Sequence, residues 1–209
     1  MGHAGMAAAA VRYLRSAGAP TVAGPVEMLP RPELRAVGED ERAPVDQGEF
    51  RRVLGNFATG VTVITAPGGP GDAGPAGFAC QSFSSLSLEP PLVCFMVGRT
   101  STTWPRIARA GAFCVNVLGA HQGDLCRGFA VRGADKFAGV EYDAAPVSGS
   151  PRLAGTAAWI DCAIHAVHTG GDHLIVVGRV DALGTGDDDA GRGDGAGVAP
   201  LLFHRGRFA

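Results

Sequence analysis

The sequence predicts a mainly β protein, an antiparallel barrel with short helical insertions. Three observations lead there. About seven apolar, strand-like runs lie between residue 61 and the C-terminus, against three short helical patterns. Strands and helices do not alternate regularly, which argues against a doubly wound parallel sheet. Glycine- and proline-rich turns separate neighbouring runs, as hairpins require. No internal repeat is visible.

Residues 1–45 mix alanine, glycine, proline and scattered charges. A helix over 7–16 fits the pattern, but Pro20, Pro25, Pro30 and Pro32 break the remainder of the segment. The segment therefore reads as an N-terminal extension, flexible or loosely docked, and 46–209 as the domain. Asp46 can cap a helix with Phe50, Val53, Leu54 and Phe57 at helical spacing, ended by Gly60. The β-branched run 61–65 predicts a strand. Residues 67–76 must be a loop, and 77–83 a second strand whose continuation stops at Pro90-Pro91. The apolar run 92–97 predicts a buried strand. Next come a helix over 102–110 with Trp104, Ile107 and Ala108 on one face, a strand over 112–118 and a short helix over 121–129. Two long strands, 159–168 and 173–183, flank Thr169-Gly170-Gly171-Asp172, a hairpin turn in which glycine supplies φ > 0. Residues 184–199 form a second loop rich in glycine and aspartate, and 200–208 a last strand.

At 209 residues, 46% hydrophobic and 18% charged, the chain can build one sizeable core. A net charge of −2 excludes the basic footprint of a nucleic-acid binder. No apolar run approaches the ~18 residues of a transmembrane helix. No basic region precedes the short apolar stretch at 7–11, so no signal peptide is expected. The five cysteines include no C-x-x-C pair. They read as reduced, buried thiols of a cytoplasmic protein.

Several motifs dissolve on inspection. Residues 69–74 match G-x-G-x-x-G, but they contain Pro70 and precede a strand, so they make a loop rather than a dinucleotide fingerprint. Arg192-Gly193-Asp194 lies in a glycine-rich loop and matches an adhesion tripeptide by chance. His165, His168 and His173 invite a metal, but residues an odd number apart on a strand face opposite sides, so His165 and His168 should diverge. No metal is expected. No nucleophile elbow or paired carboxylates occur.

Two segments point to ligand chemistry. Residues 80–88, Cys-Gln-Ser-Phe-Ser-Ser-Leu-Ser-Leu, set hydroxyls and an amide beside an apolar strand. They read either as a half-exposed strand plus loop or as a polar wall for a planar ligand such as an isoalloxazine. Residues 99–104, Arg-Thr-Ser-Thr-Thr-Trp, place hydroxyls and a cation where a helix starts. That suits a phosphate, and it equally suits N-capping by Ser101.

Taken together, 57–63, 77–83, 87–93, 113–118, Asp135-Lys136-Phe137, Gly171-Asp172-His173 and 200–203 resemble the flavin reductase family, in family order over 50–208. These are reductase components of two-component flavin-dependent monooxygenases with an FMN-binding split barrel. The resemblance implies a homodimer with a flavin groove near the subunit interface. It implies that Gln81, Ser82, Phe83 and Ser87 hold the isoalloxazine and ribityl parts, and that Arg99, Ser101 and Thr103 hold phosphate. Asn116, Val117 and Leu118 would continue the pocket through backbone contacts, and His173 would position the nicotinamide. It implies FAD or FMN as flavin, NADH or NADPH as hydride donor, and a separate monooxygenase receiving reduced flavin. Neither a membrane nor a nucleic acid is an expected partner. Two alternatives stay open: a split-barrel flavoprotein that retains its flavin and acts on an organic substrate, and a non-catalytic flavin-binding module.

Overall fold

The computed structural model describes residues 45–72, 74–133, 135–186 and 198–209. The extension up to residue 44, with its expected helix, and the loop residues 187–197 lie outside the described residues.

Helix α1 (Gln47–Leu54) starts where Asp46 Oδ1 accepts from the Gly48 and Glu49 N–H groups, at 2.9 and 3.0 Å. It stops at Gly55 rather than near Gly60. The Asn56 amide donates to the Arg52 and Val53 carbonyls, satisfying the last turn early. Gly60 instead belongs to β1 (Thr59–Gly60). The expected core face of α1 is not buried: Phe50, Val53, Leu54 and Phe57 are all exposed.

Strands β2 (Thr62–Ala66), β3 (Ala76–Cys80), β4 (Ser84–Leu88) and β5 (Pro91–Gly98) come next, then helix α2 (Trp104–Ala110) and strand β6 (Ala112–Val117). A 3-10 turn at Ala120–Gln122 leads into α3 (Gly123–Ala130). A small hairpin, β7 (Tyr142–Ala144) and β8 (Pro151–Leu153), precedes the long pair β9 (Ala158–Gly170) and β10 (His173–Thr185). Sequence reading did not foresee that small hairpin. The expected last strand is two short ones, β11 (Leu202–His204) and β12 (Arg207–Phe208), because Arg205-Gly206 turns with positive φ at both residues.

Seven strands make one antiparallel sheet in the order β3-β2-β6-β9-β10-β5-β4. Its two edges, β3 and β4, are consecutive in sequence, joined only by residues 81–83. Flat, six strand spacings of about 4.8 Å would separate the edges by roughly 29 Å. The link from Cys80 to Ser84 spans at most about 15 Å. The sheet must therefore curl into a barrel with its seam at this link.

Ser82 closes the seam. Its hydroxyl donates to the Met96 carbonyl at 3.0 Å and accepts from the Met96 N–H at 2.9 Å. That is why the strand expected over 77–83 ends at Cys80: the chain leaves β2 and changes partner to β5, and Ser84–Leu88 becomes a strand.

Inside the barrel, Phe95 stacks edge-on against Phe113 and Trp104 in a core with Ile64, Val115 and Val176. A second cluster packs Val61, Val63, Leu118, Phe129 and Leu201 under α3. One expectation about β9 fails here. Ile164 and Val167 are both buried, and the β9–β10 register shifts between Val177 and Gly178. This bulge reverses the alternation, so His165 and His168 both face solvent instead of diverging. Among the described residues no three metal-ligating side chains come together. The described cysteines are free, four of them buried. Burial and the neighbouring Asp161 carboxylate push the Cys114 thiol up to about 12, so it stays a neutral core residue.

Candidate functional site

A groove of about 680 Å³ runs along the seam side of the barrel. Its walls come from the end of β3, the end of β5, the 100–103 segment, α3 with the residues just after it, and the start of β10. That volume is typical of small-molecule sites, about 300–1,000 Å³.

The floor rests on a close approach. A Cβ at Gly77 would lie 2.8 Å from Cε1 of Phe129, so glycine lets the α3 ring settle onto β3. The same contact creates a polar point. The Lys136 ammonium donates to the Phe129 carbonyl at 2.9 Å and the Gly77 carbonyl at 3.2 Å. Both acceptors are neutral, and no carboxylate pairs with Lys136 among the described residues. Burial lowers its pKa from 10.5. A half-buried ammonium with a third N–H to spare is suited to an anion.

At the far end, the 169–172 hairpin fixes His173. Gly171 takes φ +66°, and the Asp172 carbonyl accepts from Arg99 N–H at 2.9 Å, tying the turn to the end of β5. His173 Nδ1 sits 2.7 Å from Asp172 Oδ1. That hydrogen bond holds the Asp172 carboxyl below its ordinary value. With Nδ1 engaged by the carboxylate, Nε2 is left to face a ligand from beside Gly98.

The structure brings five of the eleven expected residues to this groove: Gln81, Ser82, Ser101, Thr103 and His173. They do not all arrive with free side chains. The Ser82 hydroxyl is spent on the seam. Ser101 Oγ accepts from the Trp104 N–H at 3.2 Å, the capping role. Gln81 and Thr103 have no side-chain partner among the described residues.

Phe83 packs against the core, and Ser87 sits on the edge strand β4. Arg99 is exposed and meets the site only through its backbone. Asn116, Val117 and Leu118 lie away from the groove, because β6 is paired on both sides, with β2 and β9. The Asn116 amide is consumed in the core. It donates to the Val63 carbonyl, Thr65 Oγ1 and the Pro151 carbonyl, and its Oδ1 accepts from Leu153 N–H at 2.8 Å. Leu118 is fully buried beneath the groove floor.

Thr100 and Thr102 line the groove as members of the 99–104 segment, and sequence reading assigned no site role to Lys136 or Arg132, which also line it. One signal was available for Lys136. Lys136 is the only lysine among 18 basic residues. A guanidinium does not replace a compact ammonium between two carbonyls.

These features together fit a flavin. Met96, Phe203 and Phe208, none of them fully buried, offer apolar surface to a ring. The Gln81 amide and the threonine hydroxyls offer hydrogen bonds, and Lys136 offers a phosphate-binding cation. The comparisons with known proteins point the same way. Residues 54–209 match the model of the flavin reductase like domain. The chain belongs to the flavin reductase family.

The reductase subunit HsaB of a flavin-dependent monooxygenase from Rhodococcus jostii (strain RHA1) is 48% identical over 164 residues, 78% of this chain and 77% of that protein. An NADH-dependent FAD reductase of Streptomyces globisporus is 41% identical over 141 residues, 66% of this chain and 75% of that protein. The crystal structure of a nitrilotriacetate monooxygenase component B homologue from Mycobacterium thermoresistibile superposes with a TM-score of 0.70 at 44% identity. It covers 78% of this chain and 85% of that one. The barrel is thus the split barrel of flavin reductases.

Proposed function

We propose that this protein reduces free FAD or FMN with NADH and hands the reduced flavin to a separate flavin-dependent monooxygenase. The observation that carries the reading is one groove with an ammonium awaiting an anion at Lys136 and a hairpin-fixed imidazole at His173. The relatives support it by what they are: a monooxygenase reductase subunit and an NADH-dependent FAD reductase.

Bound flavin supplies an electron-accepting ring, and NADH the hydride. The protein's task is then to hold two rings in register, and it needs no acid–base dyad. Lys136 and the hydroxyls of Thr100, Thr102 and Thr103 bind phosphate. The Gln81 amide orients the polar edge of the ring. His173 Nε2 accepts from the carboxamide of the nicotinamide, with Asp172 holding the tautomer. The groove stays open to solvent on one side, as release of a product to another protein requires.

A homodimer in the cytoplasm fits this role. Leu86 and Leu88 are exposed on the edge strand β4, apolar surface that a second copy can cover. Among the described residues no helix is long and apolar enough to cross a membrane.

Steady-state NADH oxidation with and without added flavin tests the reading. The reductase turns over only when free FAD or FMN is supplied, in proportion to the flavin added. A protein that purifies yellow and needs no flavin is a retained-flavin enzyme. One that binds flavin and leaves NADH untouched is a carrier.

A further inference from the structure

Lys136 is the only lysine in the chain, and its surroundings suit it to nucleophilic chemistry as well as to binding. It lines the main groove, and it also lines a second cavity of about 350 Å³ beside the start of α2. The amine can therefore be reached by small molecules from two sides. Its acceptors are the Phe129 and Gly77 carbonyls, at 2.9 and 3.2 Å. An ammonium has three N–H donors; a neutral amine has two and a lone pair. In the neutral form the two carbonyls take both N–H groups, and the lone pair is left for the remaining direction, which the cavities border. The geometry that spares a third N–H for an anion thus aims a lone pair once the proton is gone. Burial without a paired carboxylate favours that loss.

The cavity walls select the electrophile. Thr102 and Thr103 line both cavities, Arg106 lines the smaller one and Arg132 the groove. Arg106 Nη2 donates to the Gly74 and Pro75 carbonyls, at 2.6 and 3.3 Å, and Nη1 has no partner among the described residues. Hydroxyls and guanidinium groups around an amine recruit an electrophile that carries a phosphate. An aldehyde phosphate would leave a neutral imine, with no N–H for either carbonyl. An acyl phosphate leaves a secondary amide, whose one N–H still serves a carbonyl. We infer that Lys136 is a modification site that takes an acyl group from acyl phosphates. The Lys136 nitrogen attacks the acyl carbon and an N–C bond forms. The C–O bond to the phosphate breaks, inorganic phosphate leaves with that electron pair, and the nitrogen releases a proton to solvent. The product is a neutral amide on the wall between the two cavities. Its effect on flavin rests on the reading of the groove as the flavin site: acylation removes the phosphate-binding cation and switches the reductase off.

The test is incubation of the full chain with acetyl phosphate, followed by peptide mass mapping. The α-amino group of the chain serves as internal reference. The same chain in guanidinium chloride supplies the reactivity of an unstructured Lys136. The rate at Lys136 relative to the α-amino group should be at least about tenfold higher in the folded protein, a modest share of what fixed positioning can supply. Inorganic phosphate should slow the reaction at Lys136 and spare the α-amino group. A relative rate no higher than in denaturant overturns the inference, and so does insensitivity to phosphate. FMN separates this inference from the groove reading. Protection of Lys136 by FMN, with tenfold weaker FMN binding after acetylation, supports both. Fast, phosphate-sensitive acetylation that FMN does not slow supports the modification site and overturns the placing of flavin phosphate at Lys136.

Discussion

Three side chains carry separate consequences at the residue scale. Lys136→Gln keeps an N–H donor for the two carbonyls but removes the charge. It should weaken flavin binding about tenfold to a hundredfold, the worth of one hydrogen bond to a charged group, ~1.5–3 kcal/mol. Because burial lowers the Lys136 pKa, the unfolded chain binds more protons between the lowered value and 10.5. This group's contribution to stability therefore rises with pH across that window. Flavin binding runs the other way: phosphate needs the ammonium, so affinity should fall as pH climbs through the lowered value. A titration of the flavin Kd against pH checks it, and a flat profile would refute the assignment. For His173→Ala, kcat/KM for NADH should drop about tenfold, ~1.4 kcal/mol, with the flavin Kd unmoved. A hairpin that merely collapsed would instead lower Tm and weaken both ligands together. Asn116→Ala should show the reverse pattern. It strands the Leu153 N–H in the core and should cost roughly 2–4 kcal/mol of stability, seen as a lower denaturant midpoint. Flavin affinity of the folded fraction should not change.

At the scale of elements, the seam and the first helix matter most. Ser82 pairs with both backbone groups of Met96 through one hydroxyl. Ser82→Ala leaves a donor and an acceptor unpaired where β3 meets β5. The expected cost is roughly 1–3 kcal/mol, accompanied by faster amide exchange at Met96; unchanged exchange there would show that the seam is held by other contacts. Helix α1 has eight residues and none of them is buried. So short a helix is marginal alone in water. Here it is tied down at its C-terminal end, where the Arg205 guanidinium donates to Asn56 Oδ1 and the Arg205 N–H to the Gly55 carbonyl. Periodicity identified this helix and its apolar stripe correctly, but it could not say that the stripe stays exposed among the described residues.

For the whole molecule, removal of residues 1–45 should leave flavin reduction near wild type, since that segment shows no continuous amphipathic pattern and several helix-breaking prolines. Insoluble or inactive truncated protein would place the domain boundary earlier. Local chemistry determined a good deal without coordinates. Asp46 as a cap, a strand at the β-branched run 61–65 (observed as Thr62–Ala66), the glycine turn before His173 and the lack of β–α alternation depend on neighbours in sequence, and each proved right. So did the family, because its motifs are short and ordered. Tertiary structure alone decided the rest. The Ser82 hydroxyl looks like a ligand in a polar string, but its partner lies 14 residues away and consumes it, and the Asn116 side chain, set in an apolar run, finds its partners 35–53 residues away. His165 and His168 share a side only because the β9–β10 register slips. Lys136 joins the site because packing of α3 on β3 brings the Gly77 and Phe129 carbonyls together at it. Sequence specifies which groups a chain owns; tertiary packing decides which remain free, because most buried donors and acceptors must first find a partner.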